Sequence, residues 1–185
     1  QQIAGIGVGG QMHGLVTLDD QDRPIRPAIL WNDGRSEEET RYLNEEVGKK
    51  KLSEYTANIA FAGFTAPKIL WMKENEPENF KRIAKIMLPK DYVVYKLTGM
   101  FCTDMSDASG MLLMDVKNRR WSQEMIEICQ ITEQMLPKLC ESYEVAGTLR
   151  PQMAEKAGLT EKVKVVAGAG DNAAAAVGTG TVGEG

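Results

Sequence analysis

The sequence contains a single histidine, His13, and three cysteines that show no Cys-x-x-Cys spacing. Zinc sites built on several imidazoles or on paired cysteines are therefore not indicated, and a catalytic triad that uses another histidine is excluded. Three cysteines also give no disulfide framework, which fits a reducing cytosol.

Long apolar runs and a positive net charge are missing as well. No stretch approaches the roughly 20 residues that cross a bilayer, and the first residues show no charged-then-apolar leader. With 22 basic and 26 acidic residues the formal net charge is -4, so there is no broad basic field for nucleic acid or an anionic membrane. These absences predict a cytoplasmic, soluble protein with neither kind of partner.

Two apolar periodicities alternate along the chain, and together they predict an α/β architecture in which helices cover a mixed sheet. Apolar runs and period-two alternation predict strands at 3–8, 15–20, 86–89, 111–116 and 162–170. Helical spacing predicts helices at about 37–47, 52–58, 65–75, 76–85, 90–99 and 151–158, and one that follows Ser122. Ser36 with Glu39 predicts a capping box, and a turn at 20–24 predicts a hairpin-like start.

Two glycine patterns match the dinucleotide fingerprint G-x-G-x-x-G/A. The first, Gly5–Gly10, leads into strand-like alternation, whereas the fingerprint requires a helix whose N-terminus faces the pyrophosphate. The second, Gly168–Ala173, lies between a predicted strand and an alanine-rich helix, but Asp171 would stand where two anionic phosphates approach. An NAD-dependent oxidoreductase that uses the Gly168–Ala173 turn is therefore an alternative hypothesis.

The same turn places Asp171 and Asn172 at the start of the predicted alanine-rich helix. Unpaired N–H groups and the helix dipole favour an ionised carboxylate there, so Asp171 could cap the helix and also accept a proton from an alcohol. Asn172 adds a hydrogen-bond donor and an acceptor beside it. A helix cap without further function explains Asp171 equally well.

A glycine-bounded turn at 9–14 holds Met12 and His13 at the end of the first predicted strand. Strand ends are where α/β folds bind ligands, although a lone loop histidine is more often a bystander.

Residues 31–35 contain Trp31, whose aromatic face suits a sugar, followed by Asp33 and Arg35. A polar turn before a helix explains the last two residues equally well. Residues 103–110 carry hydroxyls and carboxylates and indicate either a ligand loop or a plain turn. The glycine and the acidic residues of this segment do not lie at the positions that an EF-hand loop requires.

The segment "GFTAPKILWMKEN" at 63–75 resembles the first signature of the FGGY carbohydrate kinases. The matching positions are Gly63, Thr65, Lys68, Trp71, Glu74 and Asn75. The segments "GQMHG", "WNDGR", "LPKDYVVYKLTG", "DMSDASG" and "GAGDNAA" follow the order found in that family. The resemblance covers about residues 3–180 and is strongest to the branch that phosphorylates D-xylulose.

This resemblance implies two ribonuclease H-like domains of the actin-like ATPase fold, and phosphorylation of D-xylulose at its 5-hydroxyl with ATP and Mg²⁺. Asp171 would be the general base that accepts the hydroxyl proton. Met12, His13 and Asn172 would bind the ketose, and Trp31 would line the site.

The family's phosphate-binding turn and adenine site have no counterpart in this sequence, so we expect a fold that is incomplete at both ends. Residues 1–180 would be part of an N-terminal sugar-binding domain, and 181–185 would begin the connection to a C-terminal ATP-binding domain. Such a chain alone would not turn over ATP, and its open sheet edges would favour self-association, including a homodimer. A non-catalytic sugar-binding module is a further alternative.

Overall fold

Short strands and helices alternate along residues 3–181 and 183, which are the residues described by this computed structural model. The strands are β1 Gly5–Ile6, β2 Gly9–Gly10, β3 Val16–Leu18, β4 Lys85–Met87, β5 Cys102–Asp104, β6 Met114–Asp115, β7 Arg120–Trp121, β8 Lys138–Cys140, β9 Val145–Thr148, β10 Lys164–Val166 and β11 Ala169–Gly170. The α-helices are α1 Glu37–Tyr42, α2 Lys49–Thr56, α3 Thr65–Asn75, α4 Pro77–Phe80, α5 Pro89–Thr98, α6 Met105–Ala108, α7 Gln123–Cys129, α8 Pro151–Ala157 and α9 Asp171–Gly178.

The strands form small sheets with both parallel and antiparallel pairs, which confirms the predicted mixed α/β class. One sheet has the order β1-β10-β9, with β1 parallel and β9 antiparallel to β10. The pairs β2–β11 and β5–β8 are parallel, whereas β3–β4 and β6–β7 are antiparallel. The predicted strand at 3–8 is shortened to β1, and β2 lies in the glycine-rich turn predicted after it. The predicted hairpin-like start is reduced to the isolated bridges Leu15–Ile29 and Leu18–Pro24.

Most predicted helices are present, with bounds set by their capping residues. Helix α5 ends at Gly99, whose φ of 83° is the left-handed conformation that glycine favours. The Ser122 side chain accepts a hydrogen bond from the Met125 N–H and so caps α7, as predicted.

The capping box predicted at Ser36 is wrong. The Ser36 hydroxyl donates to the carbonyl oxygen of Ala62, 3.0 Å away, and forms no cap hydrogen bond. A tertiary contact has thus replaced the local one, because this serine is fully buried against the 60–63 segment. The helix predicted at 37–47 continues from α1 as a π-helix over Leu43–Gly48.

Three apolar clusters of described residues support the sheets and helices. The largest packs α3 and α7 around buried residues such as Leu15, Ile69 and Met125, and the smallest includes residues of β3 and β4. A second cluster under β10 contains Val94, Val163 and Val165 among others. Within the described part of the chain, every helix is too short or too polar to cross a membrane.

Candidate functional site

The parallel pair β2–β11 brings together two segments that are far apart in sequence. Gly9 pairs with Ala169 and Gly10 with Gly170, so the carboxyl ends of both strands lie at one edge. The residues that follow these strands surround a cavity of about 190 Å³, together with an aromatic residue from the loop before α1. The lining residues are Met12, His13, Trp31, Asp171 and Asn172.

His13 is held in one tautomer by its neighbours. Its Nδ1 lies 2.8 Å from the carbonyl oxygen of Gly110, which can only accept, so Nδ1 donates and Nε2 is left as an acceptor. The ring stacks on Phe64 with centroids 4.5 Å apart. Burial lowers the pKa of His13 below its usual 6.5, against the opposing effect of the Gly110 hydrogen bond. A neutral imidazole is therefore favoured near pH 7.

Asp171 is the first residue of α9 rather than its cap, which corrects the sequence-based interpretation. Gly170 occupies the N-cap position, and Asp171 Oδ1 accepts a hydrogen bond from the Asn172 N–H at 2.8 Å. The side chain is exposed, and no described lysine or arginine forms an ion pair with it. The helix dipole favours a negative charge at this position, and the carboxylate is free to contact a ligand.

Met12, Asn172 and Trp31 complete the wall of the cavity. Asn172 Nδ2 lies 3.9 Å from the Met12 sulfur, and the Met12 side chain packs against Gly170. The Trp31 side chain is 56% exposed, so its ring can contact a ligand in the cavity. All five residues that the sequence proposed for catalysis and substrate binding thus face one small space.

Asp33 and Arg35 do not line this cavity. They bind each other, with Arg35 Nε 2.9 Å from Asp33 Oδ1 and Nη2 2.8 Å from Oδ2. The guanidinium also lies over the Trp71 ring, 4.8 Å from its centroid. This arrangement matches the interpretation of residues 31–35 as a polar turn, with Trp31 as the exception.

Residues 103–110 form β5, α6 and a short 3₁₀ turn, so the loop expected there is wrong. The Asp104 carboxylate accepts hydrogen bonds from the Ser106 N–H at 2.9 Å and from the Ser142 hydroxyl at 2.8 Å. Asp107 is fully buried, and neither of its carboxyl oxygens has a hydrogen-bond partner.

These carboxylates surround Lys90, a residue that sequence reasoning did not single out. Its buried ammonium lies 2.7 Å from Asp91 Oδ1, 3.0 Å from Asp104 Oδ1 and 4.0 Å from Asp107 Oδ2. The Asp104 contact is an ion pair without hydrogen-bond geometry. The Lys90 ammonium also donates a hydrogen bond to the carbonyl oxygen of Ala167, just before β11. The cluster therefore anchors the strand that leads to Asp171.

Burial raises the pKa of Asp107 to about 8, and the neighbouring Asp91 adds to this effect. One ammonium cannot neutralise three buried carboxylates, so the proton on Asp107 reduces the excess negative charge. Asp107 also lies close behind the site, because its Oδ1 would be 3.4 Å from a Cβ placed on Gly170.

The cavity offers little to a nucleotide or a metal. No lysine or arginine lines it to bind a triphosphate. Among residues 3–181 and 183, no group of three or more His, Cys, Asp or Glu side chains is arranged to hold a metal ion.

The Gly168–Ala173 turn of the oxidoreductase alternative borders a separate apolar cavity of about 590 Å³ whose lining carries no charged side chain. The earlier pattern, Gly5–Gly10, leads into β3 instead of a helix, as its sequence predicted.

The chain has the actin-like ATPase fold of sugar kinases, and its fold is shared by solved xylulose kinases. Residues 1–178 match the profile of the N-terminal domain of the FGGY family of carbohydrate kinases. The chain belongs to this family.

Several relatives are similar over nearly the whole chain. The xylulose kinase of Lactococcus lactis subsp. lactis (strain IL1403) is 50% identical over 184 residues, covering 100% of this chain and 36% of the relative. That of Escherichia coli (strain K12) is 47% identical over 182 residues, covering 98% and 37%. A crystal structure described as a xyloylose kinase from Brucella ovis has a TM-score of 0.93 at 47% identity, covering 98% and 37%.

The chain thus spans a little over a third of the length of these relatives. All three are sugar kinases, and they give the oxidoreductase alternative no support.

Proposed function

We propose that this chain is most of the sugar-binding domain of a D-xylulose kinase. The observation that carries the proposal is the β2–β11 pairing, which gathers Met12, His13, Asp171 and Asn172 around one cavity. The relatives named xylulose kinase support the choice of sugar. In this proposal residues 1–180 belong to the sugar-binding domain, and 181–185 begin the connection to an ATP-binding domain.

Asp171 acts as the general base. Its exposed carboxylate accepts the proton of the sugar 5-hydroxyl as that oxygen bonds to the transferred phosphorus and the bond to the leaving ADP breaks. Phosphoryl transfer depends mainly on positioning, so a carboxylate fixed at the start of α9 meets the requirement. ATP supplies the phosphoryl group, and the groups that hold it and Mg²⁺ lie outside the cavity described above.

The remaining residues hold the ketose. His13 Nε2, kept as an acceptor by the Nδ1 hydrogen bond to Gly110, receives a hydrogen bond from a sugar hydroxyl. Asn172 supplies both a donor and an acceptor next to the base. Trp31 and Met12 cover the apolar face of the sugar.

Substituting Asp171→Asn tests this proposal in the full-length protein that contains this chain. We expect a kcat for ATP-dependent formation of xylulose 5-phosphate that is lower by about 10²- to 10⁴-fold, because the amide cannot accept the proton. Binding of D-xylulose and the melting temperature should change little, since the side chain is exposed.

The control is Asp20→Asn, which changes an equally exposed aspartate in a turn outside the cavity. A kcat for Asp171→Asn equal to that of the control would contradict the assignment of the base. A wild-type protein that binds D-xylulose without phosphorylating it would indicate the non-catalytic sugar-binding module instead.

A further inference from the structure

Lys68 carries a fully buried ammonium that lies beneath the His13 turn. Its Nζ donates to the carbonyl oxygen of His13 at 3.0 Å and to that of Gly63 at 2.5 Å. No described carboxylate forms an ion pair with it, and burial lowers its pKa to about 8. Asp33 has the opposite, smaller effect on this pKa. Burying a cation without a carboxylate in contact costs desolvation energy, so the two carbonyl groups are the contacts that hold the ammonium in place.

The hydrogen bond from Lys68 to the His13 carbonyl holds a residue with an uncommon backbone conformation. His13 has a φ of 69°, in the left-handed region that residues other than glycine rarely adopt. The Thr65 hydroxyl donates to the same His13 carbonyl oxygen at 3.1 Å. Two donors from the first turn of α3 therefore fix the peptide that directs the imidazole into the cavity.

The hydrogen bond from Lys68 to Gly63 acts on the wall of the cavity that carries Trp31. Gly63 packs directly against the backbone of Trp31, because a Cβ placed on Gly63 would lie 2.7 Å from the Trp31 carbonyl oxygen. Holding the Gly63 carbonyl therefore also fixes the segment on which Trp31 rests. Lys68 connects the two walls between which the cavity opens.

We propose that Lys68 is a positioning residue for the ketose, which acts through the carbonyl groups of His13 and Gly63 to set the separation of His13 and Trp31. The inference rests on the proposed function. It assigns to Lys68 a role in sugar affinity, with no contact to the sugar itself.

Lys68→Met in the full-length protein provides the first test, since methionine is also long and unbranched but cannot donate. We expect the KM for D-xylulose to rise about tenfold or more, because both carbonyl groups lose their donor. The KM for ATP should stay within about twofold. The matched control is Lys73→Met, the same change on a partly exposed residue of the same helix.

A double-mutant cycle with His13→Ala separates positioning from general loss of structure. If Lys68 acts through His13, the loss of kcat/KM caused by Lys68→Met is at least about threefold smaller when His13 is already alanine. An equal loss in both backgrounds, or an unchanged KM for the ketose, would overturn the inference while the kinase function stands.

Two further measurements keep the inference testable, the first if Lys68→Met folds poorly and the second if the wild type phosphorylates no ketose. Thr65→Val removes the other donor to the His13 carbonyl and should raise the same KM by about threefold.

The pKa of His13 can be measured by NMR of its ring signals, and this measurement does not require an active enzyme. Lys68 lowers this pKa and Asp171 raises it, so Lys68→Met should raise it and Lys73→Met should not. An unchanged His13 pKa would count against the inference, and an inactive wild type with the expected pKa change would count against the kinase function alone.

Discussion

At the scale of single residues, the tautomer of His13 is set by one carbonyl oxygen, that of Gly110. Because Gly110 can only accept, the imidazole presents Nε2 as an acceptor for as long as it stays neutral. Protonation would turn that acceptor into a donor and place a charge on a half-buried ring.

We therefore expect the KM for D-xylulose to rise as the pH is lowered from 7 to 5. Since the pKa of His13 lies below 6.5, most of the rise should occur below that value. Steady-state kinetics at saturating ATP would measure it. His13→Gln keeps an acceptor that does not titrate, so its KM should be raised but independent of pH. A flat wild-type profile would show that the imidazole is not an acceptor for the sugar.

Asp107 gives a second pH effect, on stability. Its pKa of about 8 in the folded chain exceeds the ordinary 3.8, so the folded state keeps a proton that the unfolded state releases between these values. The free energy of unfolding therefore falls as the pH rises through this range, by at most about 1.4 kcal/mol per pH unit.

Asp107→Asn should remove this slope, because the amide resembles the protonated acid but cannot ionise. Urea unfolding at pH 5, 6 and 7 should show that the free energy of unfolding of the variant, relative to that of the wild type, increases as the pH rises. The exposed control Asp20→Asn should follow the wild type. If Asp107→Asn showed the same slope as the wild type, the carboxyl group would be ionised in the fold.

At the scale of elements, helix α3 and strand β3 could be predicted from apolar spacing, because each is long enough or regular enough to show its period. The strands that build the site could not be predicted individually. Strands β2 and β11 have two residues each, too few for any alternation, and their pairing joins distant parts of the chain. The resemblance to a family, rather than the pattern, connected their flanking residues.

The buried charges were missed for a different reason. Lysine and aspartate are almost always exposed, so a sequence pattern assigns them to the surface. Lys68 did carry a signal, because it lies on the same helical face as the buried Thr65, Ile69 and Met72. A charged residue within an apolar stripe is a reason to expect a buried polar contact.

The turn that contains Gly110 is an element whose tight approach can be tested. A Cβ on Gly110 would lie 2.5 Å from His13 Cε1 and 2.7 Å from Nδ1. Gly110→Ala should therefore displace the imidazole and raise the KM for the ketose by about tenfold, with a smaller effect on the KM for ATP. Gly178→Ala, where a Cβ meets nothing within 4 Å, is the control. Equal kinetics for both variants would show that the ring position is unimportant.

At the scale of the whole molecule, composition and periodicity were sufficient for the α/β class, and the resemblance identified the family that the profile match confirms. The division into a sugar-binding and an ATP-binding domain was implied by the resemblance alone. The cavity is lined by a carboxylate, an imidazole and an aromatic ring, and by no lysine or arginine. The division at residue 180 remains part of the proposal.

The strand pairing that closes the cavity also orders events during protein synthesis. Met12 and Asn172 touch across 160 positions of sequence. At about 5–20 residues per second, a ribosome needs roughly ten to thirty seconds to make the intervening stretch. A nascent chain therefore displays its imidazole long before its carboxylate, and the cavity between them forms only once β11 has emerged and paired with β2.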